Sequence, residues 1–289
     1  IRRRDCLLAG AAAALALPAA ARARAHRITM LLFRGWEEAC DGFRDHFAAR
    51  RIPVELTVRG VAQDLSRLPA MVAEIRQAKP DLVYTWGTSL TIAALGPWDA
   101  PDPARHITGI PVVFNIVTDP VGNRVVKANE DPGRAVTGTE YIASVEVQLR
   151  AMARYRAFAR VAAIFNPNEH NSLSVVAQMR ALLGENLVEL PVPLDPARRP
   201  DPAAIPARVA AAREAGVDWL YIPPDTFLND HRAVLTRAAL DNRLPSFAAT
   251  ERFVQFAEGL AGLVSRYYSV GAFTAFKAEQ ILREGRAPE

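Results

Sequence analysis

Short β-rich runs alternate with amphipathic helical runs along almost the whole chain from Arg27 onward. The run from Val112 to Val117 is mostly apolar and β-branched, as expected of a strand that is buried on both faces. An alternation of this kind is typical of parallel sheets whose strands are joined by crossover helices. We count about ten alternations, which is too many for one small sheet. The sequence therefore predicts an α/β protein made of two doubly wound lobes with mainly parallel sheets.

The first 25 residues have the pattern of an export signal. Arg2-Arg3-Arg4 is positively charged, and the apolar stretch from Leu7 to Ala21 is too short to anchor in a bilayer. Ala23-Arg24-Ala25 supplies an A-x-A cleavage site, so we assign residues 1–25 to a signal peptide that is cut before His26. The segment Arg3-Arg4-Asp5-Cys6-Leu7 resembles the twin-arginine export pattern, and an ordinary Sec leader explains it equally well. Either route places the mature protein in the periplasm.

The charge of the mature chain argues against nucleic acid as a partner. The full sequence has 35 basic and 31 acidic residues, and residues 1–25 contain five of the arginines and one of the acids. Removing them leaves 30 residues of each sign, so no strong positive field is expected. Only Cys40 remains after cleavage, which excludes an intramolecular disulfide in the mature chain.

Polar side chains follow the predicted strands. In open parallel sheets, ligands bind beyond the carboxyl ends of the strands, so these segments are candidates for a binding site. The residues that we predict to contact a ligand there are Thr88, Ser89, Thr118, Asp119, Asn171, Ser172, Asp225, Thr226 and Glu251.

These residues match the two charged ends of a zwitterion such as an amino acid. Thr88-Ser89 and Asn171-Ser172 lie at predicted helix starts, where free N–H groups and the helix dipole favour a carboxylate. Asp119, Asp225 and Glu251 are candidates to receive an ammonium group. The alternative for the four helix-start residues is plain N-capping.

Two tryptophans border the proposed cleft. Trp36 lies in a polar loop after the first strand, and we predict that its ring stacks on a flat or apolar ligand. For Trp86, stacking on a ligand and packing in the core are equally compatible with its position at a strand end.

Five segments, in order along the chain, resemble one family. Pro111 to Gly122 (PVVFNIVTDPVG) is similar to the signature of the ABC-transporter substrate-binding family that includes the tryptophan-binding lipoproteins of Gram-positive bacteria. The other matching segments are Val136 to Thr139 (VTGT), Phe165 to Ser172 (FNPNEHNS), Pro223 to Thr226 (PPDT) and Tyr267 to Gly271 (YYSVG).

The resemblance implies a type I periplasmic-binding-protein fold, a ligand cleft between the lobes and delivery of the ligand to a membrane permease. The ligand contacts that it implies are Thr88, Thr118-Asp119, Asn171-Ser172 and Asp225. Thr226 stands where the family usually has Asn, and Trp36 and Trp86 also depart from its pattern. The ligand could therefore be held differently here.

The resemblance also suggests lobe boundaries. We expect residues 26–122 and 263–289 to form the N-terminal lobe, because the last helix resembles the family's returning element, and residues 123–262 to form the C-terminal lobe. Folds of this type usually return one more strand after that helix, so we expect terminal residues to be missing from the sequence. We expect the protein to be monomeric.

An enzyme is the less favoured alternative. The sequence has no phosphate loop, no dinucleotide-binding fingerprint and no nucleophile elbow, and its histidines lack metal-ligand spacing, so no cofactor or metal is expected. His170 and Ser172 raise the idea of a small-molecule hydrolase, but residues two apart at a helix start point in different directions. A periplasmic sensor for a membrane receptor would use the same trap, and the sequence does not separate it from a transport protein.

Overall fold

The computed structural model describes residues 24–285, so all but the last two residues of the predicted signal peptide lie outside the described part. Two lobes are present, and each has one parallel sheet. Lobe 1 consists of β1 (His26–Leu32), α1 (Glu38–Ala49), β2 (Val54–Gly60), α2 (Leu68–Ala78), β3 (Leu82–Trp86), α3 (Thr88–Leu95), β4 (Val112–Val117), β5 (Val136–Glu140) and, later in the chain, α10 (Tyr267–Glu284).

Lobe 2 lies between β5 and α10 in sequence. Its elements are α4 (Val145–Tyr155), β6 (Val161–Phe165), α5 (His170–Leu183), β7 (Leu187–Pro191), α6 (Ile205–Glu214), β8 (Trp219–Ile222), α7 (Thr226–Asp230), α8 (Arg232–Asp241), β9 (Ser246–Ala248), α9 (Glu251–Gln255) and β10 (Ala261–Gly262).

The sheet of lobe 1 has the strand order β2-β1-β3-β4-β5, and all of its pairings are parallel. Every residue of β4 is buried, as the apolar run predicts. The strand β5 corrects the predicted lobe boundary, because Val136 pairs with Val112 and Thr139 with Asn115. The first lobe therefore continues to residue 140 and does not end at 122. The sequence pattern shows that 136–140 is extended, but only the pairing shows which sheet the strand joins.

Helices cover both faces of this sheet. The helices α1 and α10 pack on one face around Phe43, Phe47 and Tyr84, and α2 and α3 pack on the other around Val72 and Leu90. A Cβ atom on Gly42 would collide with the carbonyl group of Tyr268, and one on Gly271 with that of Ala39. Two glycines thus allow the backbones of α1 and α10 to approach closely.

Lobe 2 repeats this plan with the strand order β10-β9-β8-β6-β7. The helices α6 and α8 cover one face and α4 and α5 the other. The predicted α/β fold with two doubly wound lobes and parallel sheets is confirmed. The short helices α7 and α9 were not predicted, since five residues are too few to show a helical period.

Within the described residues, the chain crosses between the lobes at 141–144 and again at 263–266. The two crossing segments are held together by an antiparallel bridge between Ile142 and Val264. Side-chain hydrogen bonds also join the lobes away from these crossings: Gln63 Nε2 donates to Asp230 Oδ2 at 3.1 Å, and Gln178 Nε2 donates to Asp119 Oδ2 at 3.2 Å. The cleft between the lobes is therefore closed in this structure. None of the helices between residues 24 and 285 has the length and apolarity that a membrane-spanning segment needs.

Candidate ligand site between the lobes

A small cavity lies between the carboxyl ends of the two sheets. In open parallel sheets this is the place where ligands bind. Lobe 1 and the crossing segments supply Phe33, Arg34, Trp86, Gly87, Thr88, Ser89, Ile116, Tyr141 and Tyr267, and lobe 2 supplies Asn171, Asp225, Thr226, Asn229 and Thr250. The cavity thus brings together the predicted residues Thr88, Ser89, Asn171, Asp225 and Thr226 from both lobes.

The helices α3 and α5 both begin at this cavity. Thr88 and Ser89 are the first two residues of α3, and Asn171 is the second residue of α5. The first N–H groups of a helix have no intrahelical acceptor, and the helix dipole makes this end partly positive. Gly87 and Glu169, not the predicted residues, occupy the cap positions, and neither caps its own helix through a side-chain hydrogen bond. The cavity therefore has two partly positive helix starts that can receive an anionic group.

Asp225 lines the cavity beside the start of α5 and is the N-cap of α7. Its Oδ1 accepts from the N–H of Leu228 at 2.8 Å, and its Oδ2 accepts from the N–H of Asn166 at 2.7 Å. The Oγ of Ser172 lies 2.6 Å from Oδ2 and 3.0 Å from the carbonyl oxygen of Pro224. Ser172 has one proton, so both contacts are hydrogen bonds only when Asp225 is protonated and donates to Ser172.

The electrostatic surroundings of Asp225 favour the same protonated form. Burial, together with the nearby Glu169 carboxylate, raises the pKa of Asp225 to about 8. Glu169 was not predicted as a site residue. Its oxygens accept from the N–H groups of Thr226 and Phe227 at 2.8 and 2.9 Å, so it fixes the start of α7. A cation placed beside Asp225 would stabilise its charged form and displace the proton.

Aromatic rings and one arginine form the lobe 1 side of the cavity. The guanidinium of Arg34 lies over the Trp86 ring, 4.9 Å from its centre, and Nε donates to Glu37 at 2.8 Å. Burial disfavours the charge of Arg34, but attraction to Glu37, Tyr267 and Asp230, together with the hydrogen bond to Glu37, raises the pKa of Arg34 above its ordinary value. Tyr141 lies in the first crossing segment and Tyr267 directly follows the second. Their rings meet edge to face, with the ring centres 5.8 Å apart.

The structure places two predicted site residues, Trp36 and Asp119, outside the cavity lining. Trp36 is 41% exposed; its N–H donates to Asp41, and Arg44 covers its ring, so it is held at the surface away from the lining. Asp119 accepts from Gly122 and from Gln178 of the opposite lobe. It joins the lobes at the edge of the cleft and does not line it.

Three further predicted residues lie directly behind the lining. The N–H of Thr118 donates to Thr88 Oγ1 at 3.0 Å, and Ser172 contacts Asp225 as described. Glu251 accepts from the N–H of Tyr267 at 2.7 Å, and burial raises its pKa. These three residues position lining residues but do not themselves line the cavity.

Some lining residues that were not predicted could have been found from the sequence, and others could not. Arg34 and Thr250 come shortly after the strands β1 and β9, so the rule that ligands bind at strand ends would have found them. Tyr141 and Tyr267 lie at the crossing segments, and Asn229 lies in the short helix α7, where no local pattern indicates a site. Among residues 24–285, no group of three or more His, Cys, Asp or Glu side chains is arranged to hold a metal ion.

The sequence profile of the ABC transporter substrate binding proteins matches residues 37–289, which is most of the chain. The chain belongs to this family. The family resemblance seen in the five sequence segments is thereby confirmed. The curated relatives include a tyrosine-binding protein of Clostridioides difficile (strain R20291), which is 24% identical over 200 residues. The match covers 68% of this chain and 54% of that protein, so the chain spans about half the length of this family relative.

Solved structures show the same fold. The ABC domain from Streptococcus pneumoniae in complex with L-Trp has a TM-score of 0.74 at 20% identity, with 92% of this chain and 87% of that chain covered. A ligand-free, open substrate binding protein with adhesive properties from Clostridium difficile has a TM-score of 0.64 at 20% identity, with 90% and 86% covered. The likeness confirms the predicted type I periplasmic-binding-protein architecture for this family member.

Proposed function

We propose that the protein is the extracytoplasmic solute-binding component of an ABC uptake system and holds a small amphoteric solute, an amino acid with an apolar or aromatic side chain, between its lobes. One observation carries this proposal. Two partly positive helix starts and a buried carboxyl group converge on one closed cavity that also has aromatic walls. A zwitterion with a flat side chain matches all three features.

Each end of the amino acid has a matching part of the cavity. The carboxylate meets the N–H groups at the starts of α3 and α5, with the Ser89 hydroxyl beside it. The ammonium group lies between Asp225 and Asn229, whose Oδ1 is buried and has no donor in this structure. Thr226 adds a hydroxyl next to this group. Of the predicted acids, Asp225 is favoured over Asp119 and Glu251, because only Asp225 lines the cavity.

The names of the similar proteins support an aromatic amino acid as the ligand. The curated relative is named for tyrosine, and the similar pneumococcal domain was solved with L-Trp. The rings of Phe33, Trp86, Tyr141 and Tyr267 give this cavity the flat apolar surface that such a side chain needs.

Delivery of the ligand to a membrane permease and a periplasmic location are parts of the same proposal. Residues 1–25 would direct export, and the mature chain would begin at His26. N-terminal sequencing of the exported protein should give His26 first; a protein that retains Ile1 would overturn cleavage. Replacing Arg3 and Arg4 with lysine should stop export only if the twin-arginine route is used.

Titration calorimetry against the common amino acids tests the binding proposal. At least one aromatic or apolar amino acid should bind, with the matching amine that lacks the carboxylate and the matching acid that lacks the ammonium binding at least about tenfold more weakly. This follows because each charge-assisted hydrogen bond contributes roughly 1.5–3 kcal/mol. No heat from any amino acid would overturn the amino-acid ligand. Equal affinity for the amine or the acid would show that the corresponding end does not bind where we place it.

Single hydroxyl deletions test the placement of the ligand within the cavity. Ser89→Ala and Thr226→Val remove the hydroxyl groups of two lining residues and should weaken binding by about three- to tenfold each. Ser269→Ala is the matched control, since Ser269 is exposed on α10 and lies outside the cavity lining. A larger loss in the control than in the two cavity variants would contradict the placement.

A further inference from the structure

The lobe 1 side of the cavity contains a hydrogen-bond donor that the protein leaves unused. Trp86 is 3% exposed and lines the cavity, and its indole N–H has no acceptor among residues 24–285. A buried donor without a partner is costly, and most native proteins satisfy such groups. An orphaned donor in a ligand cavity therefore indicates that the ligand brings the acceptor.

This acceptor is not the carboxylate of the amino acid. The ring of Trp86 packs with α1 and α10 on one face of the sheet, whereas α3, whose start receives the carboxylate, packs on the opposite face. The Trp86 ring lies under Arg34, and Tyr141 and Tyr267 line the same cavity, so we place the side chain of the ligand there.

The charges around Trp86 select the kind of acceptor. Glu37 pairs with Arg34 at 2.8 Å and with Arg252 of lobe 2 at 3.6 Å. Glu251 also lies close enough to Arg252 for the two charges to interact. The charge that lies directly over the Trp86 ring is the Arg34 guanidinium, which favours an oxygen with partial negative charge and disfavours a cationic side chain.

We infer that Trp86, held under Arg34, is a specificity-determining residue that donates a hydrogen bond to an acceptor at the far end of the ligand's ring. This bond selects a hydroxylated aromatic amino acid, such as tyrosine, over phenylalanine. The inference rests on the proposed function, because it assumes an aromatic amino acid with its charged head at the helix starts and Asp225. It extends that function by assigning the ligand's side-chain group and the residue that recognises it.

A ligand series on the unchanged protein gives the first test. Calorimetry should give tyrosine at least about tenfold higher affinity than phenylalanine, because a site built to bond a hydroxyl rejects an analogue without one. Para-fluorophenylalanine, a poor acceptor of similar size, should bind like phenylalanine. Para-aminophenylalanine, which offers donors to Trp86 and Arg34, should bind more weakly than tyrosine. Phenylalanine that binds as tightly as tyrosine would overturn the inference.

A variant pair gives the second test. Trp86→Phe removes the N–H, so the tyrosine-to-phenylalanine affinity ratio should fall at least about fivefold even if both affinities drop through lost packing. Trp219→Phe in the core of lobe 2 is the matched control and should leave the ratio unchanged. A ratio that survives in Trp86→Phe would overturn the assignment to Trp86. If no amino acid binds the unchanged protein, the proposed function fails first, and this inference fails with it.

Discussion

Asp225 combines a structural role with a proposed binding role, and its proton connects the two. It caps α7 and accepts two backbone N–H groups, so its side chain is fixed before any ligand arrives. Its raised pKa means that the folded state binds this proton more tightly than the unfolded chain does. That contribution to stability is complete below about pH 4, the ordinary range of an Asp carboxyl, and is lost as the pH rises towards about 8.

The first prediction is that ligand binding releases a proton. An ammonium group beside Asp225 lowers the pKa of this carboxyl, so affinity for the amino acid should increase by up to about tenfold per pH unit between roughly pH 6 and pH 8. Calorimetry in buffers with different ionisation enthalpies should measure close to one proton released at pH 7. Heats that do not depend on the buffer would show that Asp225 keeps its proton and that the ammonium lies elsewhere.

The second prediction concerns Trp36, which the sequence places at the ligand and the structure does not. Its ring lies at the surface under Arg44, with the N–H donated to Asp41. Trp36→Ala should therefore change amino-acid affinity less than about twofold, since no cavity contact is lost. Calorimetry beside Trp86→Phe gives the comparison. A selective loss of aromatic ligands in Trp36→Ala would restore the stacking role and contradict the placement seen here.

At the scale of elements, the helices α1 and α10 pack so closely that a single added side-chain atom at their contact would collide with the opposite backbone. Their backbones meet at Gly42 and Gly271, and each glycine faces a carbonyl group of the opposite helix. This contact attaches the C-terminal helix, distant in sequence, to the first helix of lobe 1.

The third prediction is that Gly271→Ala destabilises the protein. Alanine favours the helix by up to about 1 kcal/mol, but its Cβ would collide with the backbone at Ala39, and overpacking of this kind costs typically 1–3 kcal/mol or more. A fall in Tm of about 2–6 °C is expected for a chain of this size. Ser269→Ala, at an exposed position on the same helix, should leave Tm nearly unchanged. Equal Tm values for the two variants would show that α1 and α10 are farther apart than the structure places them.

For the whole molecule, ligand affinity depends on how readily the lobes close. The bonds of Gln63 with Asp230 and of Gln178 with Asp119 connect the lobes without lining the cavity. Contacts that exist only in the closed form stabilise that form and raise the apparent affinity for any ligand that requires it.

The fourth prediction is that the double variant Gln63→Ala, Gln178→Ala binds ligand at least about fivefold more weakly, because two hydrogen bonds of the closed form are lost at roughly 0.5–1.5 kcal/mol each. Small-angle scattering of the ligand-free variant should show a larger radius of gyration than the unchanged protein. Arg180→Ala, also on α5 but bonded within lobe 2 to Glu189, is the control and should bind normally. Unchanged affinity in the double variant would mean that these bonds do not contribute to closure.

The local pattern of residues determined much of this protein. The period of apolar residues and the β-branched runs specified most strands and helices. The rule that ligands bind at strand ends predicted five residues that the structure brings to the cavity, namely Thr88, Ser89, Asn171, Asp225 and Thr226. This works because side-chain periodicity and parallel strand direction follow from the backbone alone. The family was also recognisable, because its segments keep their order along the chain.

Only the tertiary structure decided which of the strand-end side chains face one another. Trp36 and Asp119 follow strands as Asp225 does, but Arg44 and Gln178 direct them away from the cavity. The partner sheet of β5 and the positions of Tyr141 and Tyr267 depend on where the chain crosses between lobes. Contacts between residues far apart in sequence are set by packing of the whole molecule, and no local pattern encodes them. For the same reason the unpaired Trp86 N–H, on which the proposed ligand selectivity rests, is visible only in the folded protein.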